Sequence, residues 1–396
     1  MSELPLDGLR VIDLTRLLPG GYASLILMEL GAEVIKIEEV AGGDGVRTMF
    51  SQAEEGESGA HLVLSRGKKS MAIDLKDVRG QAVLKKLLGT ADVLLDSFRP
   101  GVLDRLGLSK TELSQANPRL VHVSITAFGP DSALASQPTH DLNAQGYAGT
   151  LGLTADGDGN PVIPGVQISD LSSGLQAVVA VLAGLRRMEK SGEGFRADVS
   201  MTDSAMSMLM LPASVMLSTG ESPKPPDMFT GQLACYRLYE CQDSEWITVG
   251  GLEPKFFSKM VNLLERPDLA PLQYDFSAQD QLHAELEQIF KQRSRIEWIE
   301  LLGLADTCVG PVYSIAEALA DPDAVIRGAV RSAEYRDGRK VKVPAAVHWV
   351  DPDSQSALAA KAPLLGEDSL EFLGELGIPR EDIDSLIESG IVRPSE

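Results

Sequence analysis

The feature that most restricts the fold of this chain is a regular alternation of short apolar runs and amphipathic segments over its first 130 residues. The apolar runs are rich in Val, Ile and Leu, which is typical of buried strands, and the segments between them have helical spacing. Strands that alternate with helices through short turns predict an α/β fold with a parallel, doubly wound sheet. The strand-like runs are LRVIDLT (residues 9–15), EVIKIE (33–38), DVLLDS (92–97) and RLVHVSITAFG (119–129), and the helix-like ones are YASLILMELGA (22–32) and VRGQAVLKKLLGTA (78–91).

A longer amphipathic helix is predicted to begin near Ile168 and to stop at Gly192. Ser169 or Asp170 is its expected N-terminal cap, because both residue types accept hydrogen bonds from the first free amides of a helix. Its apolar residues recur at helical spacing, namely Leu171, Leu175, Val178, Leu182 and Leu185.

The length of the chain predicts two domains, because 396 residues exceed the size at which one hydrophobic core usually suffices. Residues 218–231, STGESPKPPDMFTG, are rich in Pro, Gly and Ser and are typical of a linker. We therefore predict a large Rossmann-like domain over residues 1–217 and a smaller α+β domain over residues 232–334.

The composition excludes several functional classes. With 36 Lys and Arg against 57 Asp and Glu, the formal net charge is −21, and no basic surface for nucleic acid is expected. The N-terminus does not resemble a secretion signal, and apolar runs such as AVVAVLAGL are too short to span a bilayer. The three cysteines form neither a disulfide framework nor a metal pair. A cytoplasmic protein without a membrane partner or a bound metal is predicted.

Motifs for the commonest chemistries are missing from the sequence. The first strand-to-helix turn, TRLLPGGYAS, does not carry the Gly-x-Gly-x-x-Gly pattern of dinucleotide sites. The Gly-x-Ser-x-Gly, His-Glu-x-x-His and P-loop patterns do not occur either. Carboxylates, one histidine and clusters of basic residues remain as candidates for chemistry.

Two basic clusters follow or precede predicted strands. Arg66, Lys68 and Lys69 lie on a turn before a strand, and Arg99 and Arg105 follow the strand DVLLDS. Such residues are either solvated surface charges or ligands of phosphate groups, for which arginine is well suited. An anionic ligand of a protein this acidic needs local basic clusters of this kind.

The segment PTHDLNAQGYAGTLGLT places His140 beside Asp141, and Asp170 follows thirty positions later. Each could be structural, His140 as a loop residue and Asp170 as a helix cap. As a pair they fit removal of a proton next to a carbonyl on one face and its return on the other. The N-terminus of the long helix is then expected to stabilise the enolate and to lower the pKa of Asp170.

In order and spacing, the motifs resemble the class III CoA-transferase and α-methylacyl-CoA racemase superfamily. The resemblance covers nearly the whole chain. It is carried by LPLDGLRVIDLTRLLPGGYASLILMELGAEVIKIE, SRGKKSMAIDL, DVLLDSFRPGVLDRLGL, NPRLVHVSITAFGP, SDLSSGLQAVVAVLAGL and GPVYSIAEALADP.

The resemblance implies a fold and an assembly. The large Rossmann-like domain would be completed by residues from about 335 to 396. Two chains would form an interlocked homodimer, with the site between the large domain of one subunit and the small domain of its partner.

The resemblance also implies roles for individual residues. Asp170 falls on the catalytic aspartate, which carries covalent intermediates in transferases and moves a proton in racemases. His140 and Asp141 match the His-Asp pair of the racemases, and Glu253 matches a glutamate that supports the histidine. Residues in segments that would bind the CoA nucleotide are Lys36, Arg66, Lys69, Arg99 and Arg105.

The first functional interpretation is a racemase or epimerase of 2-methylacyl-CoA thioesters that uses His140 and Asp170. It needs no prosthetic group, because CoA is part of the acyl-CoA substrate. The alternative is a class III CoA-transferase that works through a covalent intermediate on Asp170. A second alternative is a CoA-binding paralogue without activity. Ala144 departs from the racemase pattern, and Gln145 and Gly146 resemble a transferase run.

Overall fold

The structure is a computed structural model that describes residues 4–49, 58–350 and 361–395. Residues 351–360 of the predicted C-terminal segment therefore lie outside the described residues. The strands are β1 (Arg10–Leu14), β2 (Glu33–Glu38), β3 (Lys69–Ile73), β4 (Val93–Asp96), β5 (Val121–Thr126), β6 (Phe195–Ser200), β7 (Tyr236–Glu240), β8 (Trp246–Gly250), β9 (Val309–Pro311), β10 (Val330–Glu334), β11 (Lys340–Pro344) and β12 (Val392–Arg393). The helices are α1 (Leu17–Glu29), α2 (Gly59–Ser65), α3 (Val78–Leu88), α4 (Val102–Arg105), α5 (Lys110–Ala116), α6 (Asp141–Ala148), α7 (Ile168–Ser191), α8 (Met201–Met206), α9 (Met210–Thr219), α10 (Pro254–Leu263), α11 (Gln279–Phe290), α12 (Arg295–Leu302), α13 (Ile315–Ala320), α14 (Pro322–Ile326), α15 (Ser369–Glu375) and α16 (Arg380–Glu388).

The chain divides into two compact units. The first contains Met1–Ala148, Val166–Ser207 and Leu319–Glu396, and the second contains Gly149–Gly165 and Met208–Ala318. These boundaries differ in detail from the predicted ones. The segment predicted as a linker belongs to the second unit, and the chain re-enters the first unit before residue 335.

The first unit is built on a seven-stranded sheet with the order β12-β3-β2-β1-β4-β5-β6. Strands β1 to β6 pair in parallel, as the alternation of strands and helices predicts. β12 pairs antiparallel with β3 at one edge, which the sequence did not indicate. The strand order reverses between β1 and β4, and the crevice at the carboxyl ends of these two strands is where ligands bind in open α/β sheets.

The central strands are apolar on both faces because helices cover both sides of the sheet. One face packs against α1 and α7, and the other packs against α3, α15 and α16. The first buried cluster includes Val11, Val93, Val121, Leu25, Ile26, Ala177 and Val181. The second includes Ile12, Ile35, Leu94, Leu84, Leu87, Phe372 and Ile383.

Two glycines allow a close approach of β1, α1 and α7. A Cβ atom on Gly20 would lie 2.1 Å from the side chain of Thr15. A Cβ atom on Gly174 would lie 2.8 Å from the carbonyl oxygen of Pro19. Real Cβ atoms do not approach other atoms so closely, so the turn between β1 and α1 sits directly against α7. This contact sets the N-terminus of α7 beside the carboxyl end of β1.

The apolar run AVVAVLAGL lies within α7, which has 24 residues and is longer than the run itself. Among the described residues, α7 is long and apolar enough to cross a membrane by length and composition. Half of its apolar window is buried within the protein, as in the core helices of many soluble proteins, so this property is weak evidence for a membrane span.

The second unit has a core of its own around an antiparallel sheet with the order β7-β8-β9. The ring of Phe290 on α11 lies 5.0 Å from that of Tyr239 and 5.3 Å from that of Trp298, measured between centroids. Phe257 on α10 is fully buried in the same cluster. The second unit is therefore held together by aromatic packing between its sheet and its helices.

Candidate active site

A cavity of about 220 Å³ opens at the carboxyl ends of β1, β4 and β5 and is called the switch-point cavity below. It lies where the strand order reverses, so its position agrees with the general rule for ligand sites in such sheets. Two of the predicted catalytic residues, His140 and Asp170, lie in its wall. The remaining lining residues are Arg16, Leu17, Pro19, Ser97, Phe98, Arg99, Ile125, Thr126, Ala127, Ala135, Gln137, Thr139 and Met201.

His140 occupies the position just before α6. Its carbonyl oxygen accepts hydrogen bonds from the amides of Asn143 and Ala144, which begins the helix. The side chain of Asn143 in turn accepts a hydrogen bond of 3.2 Å from the amide of His140. The backbone of His140 is thus fixed at both polar groups, whereas the residue as a whole is exposed and its imidazole is open to a ligand.

Asp141 caps the N-terminus of α7. Its Oδ1 accepts hydrogen bonds from the amides of Ser169, at 2.8 Å, and Asp170, at 3.1 Å. Its Oδ2 accepts a bond of 2.6 Å from the amide group of Gln145. The prediction that Ser169 or Asp170 supplies the cap is therefore wrong. A carboxylate from the preceding helix satisfies these amides, and the hydroxyl of Ser169 donates to the carbonyl of Met201.

Asp170 is half-buried, and burial raises its pKa to about 7, with a further contribution from the nearby charge of Asp141. Within the described part of the chain its carboxylate forms no hydrogen bond or ion pair. The expectation of a lowered pKa is wrong, because burial raises the pKa of Asp170 and the charge of Asp141, which occupies the helix terminus, raises it further. The same occupation removes the amides of Ser169 and Asp170 from the stabilisation of an enolate.

The role of Asp141 can be tested with Asp141→Asn, which retains an oxygen that can accept hydrogen bonds from the α7 amides but removes the charge. The pKa of Asp170 should then fall below 7 and remain above its ordinary value, because the burial persists. The measurement is the pH dependence of the initial rate, with Asp384→Asn on α16, an exposed carboxylate far along the chain, as the control. An inflection that stays at the wild-type pH would contradict this account.

Glu253 lies in the second unit, at the position before α10. Its carbonyl oxygen accepts bonds from the amides of Phe256 and Phe257, and the residue is exposed. Its support of a catalytic histidine stays a prediction.

The predicted nucleotide ligands are not brought together at one place. Arg99 lies in the wall of the switch-point cavity, and Arg105 is exposed at the end of α4. Lys69 begins β3, and hence lies at the sheet edge opposite the cavities, where it pairs with Glu33 at 3.2 Å and Glu371 at 2.6 Å.

Two further predicted ligands lie in buried ion pairs. Arg66 is 3% exposed and binds Glu29 at 2.5 Å. Lys36 is 4% exposed and binds Asp44 at 3.0 Å. These two side chains hold elements of the fold together, so contact with a nucleotide would require the ion pairs to open.

A second cavity of about 190 Å³ lies at the carboxyl ends of β1, β2 and β3 and is called the strand-end cavity. Its walls are largely apolar and include Leu14, Ile37, Ile73, Leu75, Phe98, Val102 and Leu106. Arg16 and Phe98 line both this cavity and the switch-point cavity. The sequence analysis missed Arg16, although its place directly after a predicted strand marks the edge at which ligands bind.

The switch point of this doubly wound sheet carries a histidine, a carboxylate and two arginines. These are the side chains that an enzyme site for an anionic substrate requires. The sequence model of CoA-transferase family III matches residues 6–369 of this chain, and the chain therefore belongs to this family. Among the described residues, no group of three or more His, Cys, Asp or Glu side chains could hold a metal ion.

The relatives include both transferases and racemases. The human succinyl-CoA:glutarate CoA-transferase is 29% identical, over 99% of this chain and 91% of its own length. The acetyl-CoA:oxalate CoA-transferase of Acetobacter aceti is 31% identical, over 95% of this chain and 96% of its own length. Human alpha-methylacyl-CoA racemase is 28% identical, over 99% of this chain and 100% of its own length. A CAIB/BAIF family protein from Brucella suis has a solved structure that is 29% identical, with a TM-score of 0.84 over 95% of this chain and 100% of that one.

Proposed function

We propose that the protein is a racemase or epimerase of 2-methylacyl-CoA thioesters in which His140 and Asp170 are the two proton-transfer groups. The observation that carries this proposal is that both side chains line the same cavity at the switch point of the sheet. Relatives of this family are enzymes that act on CoA thioesters, and one of them is a racemase. The thioester would lie between the two side chains.

The proposed reaction is two proton transfers at one carbon. One group removes the proton from the α-carbon, and the electron pair moves into the thioester carbonyl to form an enolate. The other group then donates its proton to the opposite face. A pKa of about 7 leaves both protonation states of Asp170 populated at neutral pH, so the carboxyl can act as base in one direction and as acid in the other.

The enolate oxygen needs hydrogen-bond donors, since the α7 amides of Ser169 and Asp170 are bound to Asp141. Side chains in the wall of the switch-point cavity can supply them, among which are Gln137, Thr139 and Arg99. No prosthetic group takes part in this mechanism, and CoA enters as part of the substrate.

A CoA-transferase remains the second candidate, and the unbonded carboxylate of Asp170 favours it. In that reaction the carboxylate attacks the thioester carbonyl and CoA leaves as the thiolate, which produces an acyl anhydride on Asp170. The first two relatives named above are transferases. A CoA-binding paralogue without activity is the third candidate.

One incubation separates these candidates. A single enantiomer of a 2-methylacyl-CoA is supplied with a free carboxylic acid, and the products are resolved by chiral chromatography and mass spectrometry. The racemase should form the opposite enantiomer without any second thioester. Transfer of CoA to the added acid, together with inactivation by hydroxylamine in the presence of acyl-CoA, would instead establish the transferase.

We also propose that two chains associate as an interlocked homodimer. The outward face of α7 is apolar in the single chain, with Leu175, Val179 and Leu182 exposed by 47%, 60% and 40%. A second copy that covered this face would bury apolar surface, which is the main driving force of stable association. Sedimentation equilibrium should give twice the mass of 42.4 kDa at micromolar concentration, and a monomer would contradict the proposal. A cytoplasmic location stays a prediction.

A further inference from the structure

Leu17 begins α1 and has a left-handed backbone with a φ of 60°. This conformation costs free energy in a residue with a side chain, because the Cβ atom then lies too close to the following carbonyl oxygen. Glycine adopts it at almost no cost. Among the described residues, the other non-glycine positions with a positive φ are Ser244, Glu265, Asp306 and Cys308, which all belong to the second unit. The strain at Leu17 is thus a local feature of the turn that follows β1.

A buried carboxylate holds this strained backbone in place. The amide of Leu17 donates to both oxygens of Asp44, at 3.1 and 3.2 Å, and Asp44 is 5% exposed. The ammonium group of Lys36 lies 3.0 Å from Oδ2 of Asp44 and compensates its charge. On the other side of the turn, the amide of Arg16 donates a hydrogen bond of 2.9 Å to the hydroxyl of Ser97. The turn is therefore fixed from both sides, which is how strained backbones persist at functional sites.

The same carboxylate also supports the side chain of Leu17. Oδ1 of Asp44 accepts a hydrogen bond of 3.1 Å from the amide of Val46, in the short 3₁₀ helix Gly45–Arg47. A Cβ atom on Gly45 would lie 3.2 Å from Cδ2 of Leu17, so the leucine side chain packs closely against this part of the main chain. The side chain therefore has little freedom to move aside for a ligand.

Leu17 lies in the wall of the switch-point cavity, together with His140 and Asp170. The volume of this cavity, about 220 Å³, is below the roughly 300–1,000 Å³ of pockets that enclose a whole small ligand. The cavity therefore has room for the reacting end of a thioester, and its apolar wall limits the groups that the α-carbon can carry. A glycine at position 17 would avoid the strain, so the cost is explained if the leucine side chain has a task at this wall.

We propose that Leu17 is a specificity-determining residue, whose side chain limits the size of the substituent on the α-carbon of the acyl group. This inference rests on the proposed action on CoA thioesters, and it holds for the racemase and the transferase alike, because both reactions bring the acyl group to Asp170. The strained turn holds an apolar wall in place, so that a 2-methyl group is admitted and a larger branch is rejected. In a hydrophobic pocket, one additional methylene changes kcat/KM by about 10- to 200-fold.

The first test compares kcat/KM for a 2-methylacyl-CoA and a 2-ethylacyl-CoA with the same main chain, in whichever reaction the incubation described above establishes. Leu17→Ala and Leu17→Gly both remove the isobutyl group, so the preference of the wild type for the methyl compound should fall at least about tenfold in each. Leu17→Met nearly conserves the volume and should keep the preference. An unchanged preference in the alanine and glycine variants, or an equal loss of activity on both substrates, would overturn the proposal.

The second test separates the side chain from the strained backbone. Leu17→Gly relieves the strain and Leu17→Ala keeps it, so the glycine variant should unfold at a temperature about 2 °C higher, the reverse of the usual order. Glu265, an exposed residue of the second unit with a φ of 58°, is the matched control. Glu265→Gly and Glu265→Ala should show the same order of stability and leave the substrate preference unchanged. A changed preference in these controls, or failure of both Leu17 variants to fold, would overturn the proposal.

The same comparison is possible without turnover. Asp170→Asn forms no acyl anhydride, so calorimetry on this variant measures the affinity for the two thioesters, and Leu17→Ala in this background should reduce the difference between them about tenfold. If the wild type neither inverted nor transferred an acyl-CoA, the proposed function would fail, and these affinities would still decide the role of Leu17. If turnover were found and the preference did not depend on Leu17, the function would stand and the inference would fail.

Discussion

Replacement of His140 by alanine should lower the rate of interconversion of 2-methylacyl-CoA enantiomers by about 10³-fold, within the range of 10² to 10⁴ that a general acid or base contributes. The fold should be unaffected, because the residue is exposed and the hydrogen bonds that fix it come from its backbone. Racemisation of both enantiomers is measured by chiral chromatography. His348→Ala, at another exposed histidine, is the control and should retain wild-type activity.

The His140→Ala variant should still exchange the α-proton of one enantiomer with solvent. In a two-base mechanism each enantiomer is deprotonated by a different group, so Asp170 can continue to remove and return a proton on its own face. Exchange without inversion would therefore identify the face that Asp170 serves. Full racemase activity in this variant would contradict the role of His140.

Asp170→Asn should lose activity by about 10³-fold and gain stability above pH 7. The folded protein holds the pKa of Asp170 at about 7, well above its ordinary value of 3.8, because of burial and the nearby charge of Asp141. The folded state therefore binds the proton more tightly than the unfolded state does. It follows that the free energy of unfolding decreases as the pH rises from about 4 to 7. Above pH 7 the folded state carries the whole cost of holding the charged Asp170 carboxylate in its half-buried place.

The asparagine variant avoids that cost because its side chain carries no charge. One pKa unit corresponds to about 1.4 kcal/mol, and the partial exposure of the carboxylate reduces the effect, so a gain of about 1–2 kcal/mol at pH 8 is expected. Urea unfolding of both proteins at pH 8 and pH 4 measures it, and the difference should vanish at pH 4. Asp384→Asn, at an exposed carboxylate on α16, should show no such gain. An Asp170→Asn variant less stable than the wild type at pH 8 would contradict the raised pKa.

The sequence predicted the parallel strands β1, β2, β4 and β5 because each is a short apolar run. β6 was not predicted, because Arg196 and Asp198 interrupt its apolar residues. The pairing of β12 with β3 could not be predicted in this way, because Val392 and Ile73 are paired across more than 300 residues and β12 has only two residues.

The electrostatics of the candidate site could not be predicted from the sequence, and the catalytic roles of its residues stay predictions. His140 and Asp170 could be singled out from residue type and spacing, and both lie in one cavity. The cap of α7 could not be foreseen, because the carboxylate of Asp141 reaches an amide 28 positions later in the chain. Burial and the charge of Asp141 together raise the pKa of Asp170, which is the opposite of the predicted direction.

The sequence also could not show which basic residues are free to bind a ligand. Lys69 and Arg99 are both next to strands, but Lys69 begins a strand and Arg99 follows one, so they lie at opposite edges of a parallel sheet. Arg66 pairs with Glu29, which is 37 positions away. Residue type alone does not distinguish a cation that binds a ligand from one that is neutralised inside the fold.

The most direct test of the central claim follows the α-proton itself. The wild-type protein is incubated in deuterated water with one enantiomer of a 2-methylacyl-CoA, and deuterium at the α-carbon and configuration are measured over time by mass spectrometry and chiral chromatography. The account predicts that deuterium enters the α-carbon and that the opposite enantiomer appears with deuterium in place. An absence of exchange, with hydroxylamine converting the Asp170 carboxyl to a hydroxamate only in the presence of acyl-CoA, would contradict the racemase and leave the transferase in its place.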